Sequence, residues 1–211
     1  MPLKNLNNLR VALAQAASEK NLALRGVRIA VVIAQALREI GQDPVLVGGA
    51  AVEFYTEGNY ATKDIDMVTF GSKELVDVMQ QLGFEKHGKD YLHEVFRIYI
   101  EFPSDCLGPE EKKDEIDVNG SALNIISLED LVIDRLCAYK FWKSEKDGVA
   151  ALLLLESGNM DVQRLENRSR AEDVFDALTW IREVYEEIVR NKIKKTQASK
   201  RLSGWLQQKR R

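Results

Sequence analysis

The sequence predicts an α+β protein whose middle segment, of α/β type, lies between N-terminal helices and a helical C-terminal domain. Two observations support this fold class. Apolar residues recur at helical spacing before residue 41 and after residue 127, whereas short apolar or alternating segments separated by glycines lie between those limits. We therefore predict a domain at 1–126, including a helical preface at 1–42, and a helical domain at 127–211.

The composition excludes several classes of protein. Hydrophobic residues make up 45% of the chain and charged residues 30%, which is typical of globular proteins. The apolar runs are far shorter than the roughly 20 residues of a membrane span, and the first ten residues lack the apolar core of a secretory signal. Two cysteines, Cys106 and Cys137, are too few for a disulfide framework or a closed zinc site. We expect a reduced, cytoplasmic protein with no membrane contact.

The charge is unevenly distributed along the chain. The net charge is −3, yet the segment 190–211 contains nine Lys or Arg residues and no Asp or Glu. A basic tail on an acidic body is typical of contact with nucleic acid or with an acidic partner. The other interpretation is a solvated terminal helix whose cations suit the negative end of the helix dipole. The sequence leaves both open.

The first half of the chain predicts helices and strands in alternation. Residues 5–40 predict two helices, with Asn21 as a cap between them and Gly41 as a stop. A buried strand at 45–47 then precedes Gly48-Gly49 and a helix at 50–57. The alternation of 64–70 predicts a second strand, and a helix at 73–82 follows it.

The second half begins with a strand at 91–102, on which Phe96, Ile98 and Ile100 share one face with Phe102, and Glu101 lies on the other. Asn119-Gly120 predicts a hairpin between strands at 115–118 and 122–126. Helical patterns continue to the end of the chain. They cover 128–142, 145–156, 171–191 and 197–208.

One ordered set of residues indicates chemistry. Gly48-Gly49 stands between a strand and a helix, where glycine permits close backbone approach and a helix N-terminus offers free N–H groups to a phosphate. Asp64 and Asp66 are two apart on a strand and so point to the same face, an arrangement of hard oxygen ligands that suits Mg²⁺. Glu101, on the polar face of a later strand, is the candidate third carboxylate.

This order of residues resembles the DNA-polymerase-β-like nucleotidyltransferase superfamily. The family signature is a hydrophobic residue, Gly-Gly or Gly-Ser, a spacer, Asp-hydrophobic-Asp/Glu, and a later carboxylate. Here the spacer between Gly49 and Asp64 is fourteen residues, one more than the common range. The segment Thr62-Lys63-Asp64-Ile65-Asp66 is similar to small prokaryotic members, among them abortive-infection toxins and antitoxin-like proteins, and the sequences 100–108 and 131–136 resemble an uncharacterised subgroup.

The resemblance implies a mixed sheet with helices on one face and a metal site on the other. It implies that Asp64, Asp66 and Glu101 are both catalytic residues and ligands of Mg²⁺ or Mn²⁺, that Glu101 helps to deprotonate the acceptor, and that Gly48 and Gly49 hold the triphosphate of a nucleoside triphosphate. Two metals stabilise both oxygens of an in-line displacement.

Two basic residues are further candidates for phosphate contact. Lys63 precedes the carboxylate pair, and it is equally well interpreted as a surface lysine. Arg135 lies beside Asp134 in an apolar helix, where it either lines a cleft or forms a buried ion pair.

We therefore expect a metal-dependent nucleotidyltransferase that moves a nucleoside monophosphate to a hydroxyl of RNA, such as tRNA, or of a partner protein, as part of a toxin–antitoxin pair. The alternative is a catalytically degraded member of the same fold that acts as a binding module for a partner protein. A homodimer through the N-terminal helices is compatible with either function.

Overall fold

The computed structural model describes residues 2–191 and 195–208. The chain divides into two compact units, residues 1–127 (unit 1) and residues 128–211 (unit 2). None of the helices built from the described residues combines the length and apolar character that crossing a membrane requires.

The described residues of unit 1 form four helices. Two of them begin at side-chain caps: Asn21 accepts a hydrogen bond from the N–H of Leu24 (3.4 Å), and Ser72 accepts one from the N–H of Leu75 (3.1 Å). Such caps satisfy N–H groups that the first helical turn leaves without partners. The helices are α1 (Leu6–Ala17), α2 (Leu22–Arg38), α3 (Gly48–Tyr55) and α4 (Lys73–Gln81).

Seven strands form one mixed sheet in the order β3-β4-β5-β2-β1-β7-β6. Strand β2 pairs in parallel with β5 and antiparallel with β1, and β1 pairs in parallel with β7. The remaining neighbours are antiparallel. The strands are β1 (Val45–Val47), β2 (Asp64–Val68), β3 (Glu85–His87), β4 (Asp90–His93), β5 (Ile98–Glu101), β6 (Lys113–Val118) and β7 (Ser121–Ile126).

The two faces of the central strands differ in polarity. Side chains alternate across a strand, and on one face of β2 and β5 Ile65, Met67, Ile98 and Ile100 are all buried. On the other face Val68 is buried at the end of β2, whereas the remaining members are exposed or half-buried: Asp64, Asp66, Tyr99 and Glu101. Helix α2 packs against β2, β6 and β7. The polar face of β2 and β5 therefore carries the predicted acidic residues, and the apolar face belongs to the core.

The predicted single strand at 91–102 is wrong. The chain forms two antiparallel strands, β4 and β5, and turns between them, where Arg97 adopts a positive φ of 50°. The alternation of apolar residues continues through this turn, so it gave no signal of a break. The short exposed strand β3, where no strand was predicted, pairs with β4 at the edge of the sheet.

The predicted hairpin at Asn119-Gly120 is confirmed. Asn119 and Gly120 have φ values of 54° and 83°, so both central residues of the turn are left-handed. This is the conformation of the two-residue turn that suits the twist of antiparallel strands.

Unit 2 is helical, as predicted, and one of its helices, α7, was not predicted. The helices are α5 (Leu128–Phe141), α6 (Glu145–Glu156), α7 (Val162–Ala171), α8 (Phe175–Asn191) and α9 (Lys195–Gln208). Most of the predicted basic tail lies in α9. Residues 192–194 and 209–211 of the basic tail lie outside the described residues.

The apolar face of α9 is part of the core of unit 2. Leu202, Trp205 and Leu206 are buried, and the hydroxyl of Tyr139 on α5 donates a hydrogen bond to the carbonyl of Leu202 (2.7 Å). The rings of Tyr139 and Trp205 stack, with centroids 5.1 Å apart. Helix α9 therefore packs through its apolar face, and Gln197, Lys200 and Arg201 on the same helix are exposed.

Candidate active site

The site is built at the junction of β1 and α3. Gly48 has a φ of +62°, and a Cβ at this position would lie 2.0 Å from Oδ2 of Asp66. A Cβ at Gly49 would lie 2.6 Å from Oγ1 of Thr62. Both distances are shorter than any van der Waals contact, so the backbone of the glycine pair lies directly against the start of β2. Neighbouring side chains leave no room for a Cβ at either glycine. At Gly48 the positive φ is a second reason for glycine.

The two aspartates of β2 differ in their surroundings. Asp64 is exposed, whereas Asp66 is half-buried and its Oδ2 accepts a hydrogen bond from the N–H of Gly49 (3.3 Å). That N–H belongs to the first turn of α3, which has no side-chain cap of its own. The positive end of the helix dipole and this N–H group hold the Asp66 carboxylate on the polar face of the sheet.

Glu101 lies on the strand next to the aspartates. In the parallel pairing of β2 with β5, the Cα of Asp66 is partnered with that of Glu101, and the Cα of Asp64 with that of Tyr99. Residues in register on adjacent strands are roughly 5 Å apart and point to the same face. The structure thus brings the predicted third acid to the same face as Asp64 and Asp66 and beside Asp66.

Lys89, in the turn between β3 and β4, was not singled out by the sequence. Its ammonium group forms an ion pair with Glu101. The hydrogen bond to Glu101 raises the pKa of Lys89 above its ordinary value, with further contributions from the charges of Asp90 and Asp66. Lys89 therefore belongs to the surroundings of Glu101 and Asp66. Its position could not be read from the sequence because it depends on the turn that divides β4 from β5.

Within residues 2–191 and 195–208, no three His, Cys, Asp or Glu side chains are grouped closely enough to hold a metal ion as they stand. At the candidate site, the Glu101 carboxylate is engaged in the ion pair with Lys89. Two carboxylates on one strand, with a third in register beside them, are thus the donor set that the fold supplies.

A buried acid near the site was also missed. Glu53, on α3, is 4% exposed, and its Oε1 has no hydrogen-bond partner among the residues that the structure describes. Burial raises the pKa of Glu53, and the charge of Arg25 partly opposes this. Glu53 borders a small cavity of about 30 Å³ together with Thr62, Lys63 and Asp64. The spacing of Glu53 from Gly49 carried no signal that its side chain would turn inward.

The two basic candidates lie in different units. Lys63 is exposed beside Asp64 in unit 1. Arg135 is in unit 2, where its guanidinium donates to Asp147 of α6 (2.7 Å) and pairs with Asp134. The pair of Arg135 with Asp134 is not the buried pair that the sequence left open, since Asp134 is exposed, and the pair with Asp147 joins α5 to α6.

Comparison with solved structures identifies the fold. The chain is similar to an antigenic nucleotidyltransferase-like protein from Paracoccidioides brasiliensis, with a TM-score of 0.52 and 16% identity over 77% of this chain and 94% of that one. It also matches the solution structure of the antibiotic-resistance factor ANT(2'')-Ia, with a TM-score of 0.47 and 18% identity over 70% and 91% of the two chains. The glycine pair, the β2 aspartates and the mixed sheet thus occur in a protein of the nucleotidyltransferase fold.

The family follows from the sequence. A family model described as a nucleotidyltransferase of unknown function (DUF6036) matches residues 29–198. The chain belongs to this family. No curated protein shows significant sequence similarity to it.

Proposed function

We propose that this chain transfers a nucleoside monophosphate from a nucleoside triphosphate to a hydroxyl group of RNA or of a partner protein. The observation that carries the proposal is the in-register placement of Asp66 and Glu101 on one face of the sheet, against a glycine pair. The family supports nucleotidyl transfer as the class of reaction. A toxin–antitoxin pair is the cellular setting that the sequence resemblance implies for such an enzyme.

Gly48 and Gly49 would bind the triphosphate of the donor. Both positions lack a side chain, so phosphate oxygens can approach the backbone of the first turn of α3. The N–H of Gly49 already holds an anionic oxygen, that of Asp66. Lys63, exposed beside Asp64, adds a cation that can pair with the outer phosphates. Arg135 stays a candidate for phosphate contact.

The carboxylates fit a divalent cation, Mg²⁺ or Mn²⁺. Asp64 and Asp66 are hard oxygen donors on one face, and Asp66 is oriented by Gly49. Glu101 would be the third donor. Its carboxylate would leave the ion pair with Lys89 and bind the metal instead. When bound, the metal stabilises negative charge on the attacking and leaving oxygens.

The acceptor's oxygen would form a bond to the α-phosphorus as the bond from that phosphorus to the oxygen of the departing pyrophosphate breaks. The proton of the acceptor hydroxyl would pass to the carboxylate of Glu101. The side chains thereby position the reactants and balance charge, and no covalent intermediate on the protein is required.

The test is calorimetric binding of ATP, CTP, GTP and UTP with Mg²⁺, followed by transfer of label from the bound nucleotide to RNA or protein. We expect the double variant Asp64→Asn/Asp66→Asn to lose metal-dependent binding and transfer. The control is Asp114→Asn/Glu115→Gln, which removes the same charge from exposed positions of β6. Wild-type activity in the Asp64/Asp66 variant would exclude this site.

A second candidate function is a binding module that has lost catalysis. It is favoured by the engagement of Glu101 with Lys89 and by the absence of a three-acid metal cluster among the described residues. A folded wild-type protein that binds no nucleotide in the presence of Mg²⁺ and its acceptor would support this function over transfer.

A further inference from the structure

The ion pair between Lys89 and Glu101 lies on the face of the sheet that carries the β2 aspartates. The pairing of β4 with β5 places the Cα of Asp90 opposite that of Glu101, and Glu101 is in register with Asp66. Lys89 immediately precedes Asp90, at the tip of the hairpin of β3 and β4. The negative charges of Asp90 and Asp66 also act on the Lys89 ammonium. This ammonium therefore lies among carboxylates, in contact with one that the proposed reaction needs as a metal ligand.

The two partners of this ion pair differ in how much the fold constrains them. The Glu101 side chain is 25% exposed, and its strand is paired on both sides. The Lys89 side chain is 71% exposed, and a Cβ on the preceding residue, Gly88, would meet no atom within 4 Å. Lysine also carries its charge on a flexible four-carbon stem. The ammonium of Lys89 can therefore move away from Glu101 without any change in the sheet.

The proposed reaction brings an anionic group within reach of this ammonium. A divalent cation on Glu101 would repel the ammonium, since like charges at short range disfavour each other. Glu101 would take the proton of the acceptor hydroxyl, so the attacking oxygen lies within about 3 Å of its carboxylate. The attacked phosphorus lies roughly 3–3.5 Å beyond that oxygen. The transferred phosphate thus comes within roughly 6 Å of the carboxylate with which Lys89 pairs.

We infer that Lys89 is a catalytic residue that makes two successive contacts. It pairs with Glu101 while the metal is absent, and it pairs with a non-bridging oxygen of the transferred phosphate once Glu101 has bound the metal. This inference rests on the proposed function and adds to it a residue that the sequence did not indicate. The ammonium keeps its proton throughout, and its charge opposes the negative charge on the phosphate oxygens in the transition state.

The test compares Lys89→Met with Lys86→Met, which removes the same charge from the same hairpin. Lys86 is in register with Tyr91, and Tyr91 with Ile100, so Lys86 lies on the face of the sheet opposite to Glu101. A third variant, Lys89→Arg, keeps the charge. The first measurement is calorimetric binding of Mn²⁺ in the absence of nucleotide. The second is the kcat and KM of nucleotide transfer to RNA or protein.

We expect Lys89→Met to bind Mn²⁺ about fivefold more tightly than the wild type, because no ammonium competes for Glu101. Its kcat should fall about 100-fold, with the nucleotide KM changed less than about threefold, because the phosphate contact is strongest in the transition state. Lys89→Arg should restore the wild-type Mn²⁺ affinity and most of the kcat. Lys86→Met should match the wild type in both measurements. Loss of a merely structural contact would not raise metal affinity and lower kcat together.

Two results would overturn the inference in a protein that transfers nucleotide. Unchanged or weaker Mn²⁺ binding by Lys89→Met would show that the ammonium does not compete for Glu101. Tighter Mn²⁺ binding with a wild-type kcat would show that Lys89 does not contact the phosphate.

Failure of the proposed function gives a different pattern. If the wild type transfers no nucleotide to RNA or protein, the proposed reaction fails together with the phosphate contact. Tighter Mn²⁺ binding by Lys89→Met would still support the competition for Glu101. If neither the wild type nor Lys89→Met binds Mn²⁺, both the metal site and the role of Lys89 are excluded.

Discussion

At the scale of single residues, the glycine at position 48 serves two requirements at once. Its backbone adopts a positive φ, and its missing side chain leaves room for the carboxylate of Asp66. The sequence pattern indicated a phosphate contact for this glycine. The structure adds that a candidate metal ligand needs the same space.

We predict that Gly48→Ala lowers the free energy of unfolding more than Gly41→Ala does. Both residues have a positive φ, 62° and 81°, and a Cβ there costs roughly 1–2 kcal/mol. At Gly41 a Cβ meets no atom within 4 Å, whereas at Gly48 it would overlap the carboxylate of Asp66. Gly48→Ala should therefore lower the free energy of unfolding by about 1 kcal/mol or more beyond the loss in Gly41→Ala.

Urea unfolding of the two variants measures the difference. Gly48→Ala should also weaken nucleotide binding, and Gly41→Ala should leave it unchanged. Equal losses of stability would show that Asp66 does not depend on the space at Gly48.

At the scale of elements, a buried ion network joins α5 to α7. The side chain of Asp130 is fully buried, and its oxygens accept from Arg164 (2.5 Å) and Arg168 (3.1 Å). The sequence did not predict α7, because that helix is polar over most of its length. A charge pattern along one helix does not reveal a partner on another.

We predict that Asp130→Asn destabilises the protein by about 3–5 kcal/mol, since it leaves two arginines without their buried counter-charge. Asp134→Asn is the matched control on the same helix. Asp134 is 47% exposed and pairs with Arg135, so its loss should cost less than about 1 kcal/mol. Thermal and urea unfolding of the two variants provide the comparison, and a small effect at Asp130 would contradict the role of the network.

At the scale of the whole molecule, the basic C-terminal segment has a structural role that its charge did not indicate. Leu202, Trp205 and Leu206 of α9 are buried in unit 2. Deleting this segment to test nucleic-acid binding would therefore remove part of a core together with the charges.

We predict that deletion of residues 190–211 lowers the free energy of unfolding by about 5 kcal/mol or more, because three large apolar side chains lose their burial. Deletion of residues 209–211 removes three cations and none of these side chains, so stability should be unchanged. Circular dichroism during thermal unfolding distinguishes the two. A stable protein after the longer deletion would show that α9 contributes little to the core.

The local signals of the sequence determined most elements of this protein. Helical periodicity, the caps at Asn21 and Ser72, and the turn at Asn119-Gly120 act over a few residues, so they can be read from the chain alone. The same holds for the placement of Asp64 and Asp66 on one strand face, because side chains alternate with a period of two.

Only the tertiary structure decided which strands and helices became neighbours. The parallel pairing of β2 with β5 placed Glu101 beside Asp66, and the unforeseen turn before Arg97 formed β4. That hairpin in turn brought Lys89 to Glu101. These contacts join residues far apart in the chain, and their energies depend on the packing of the sheet and on burial, which no short segment of sequence specifies.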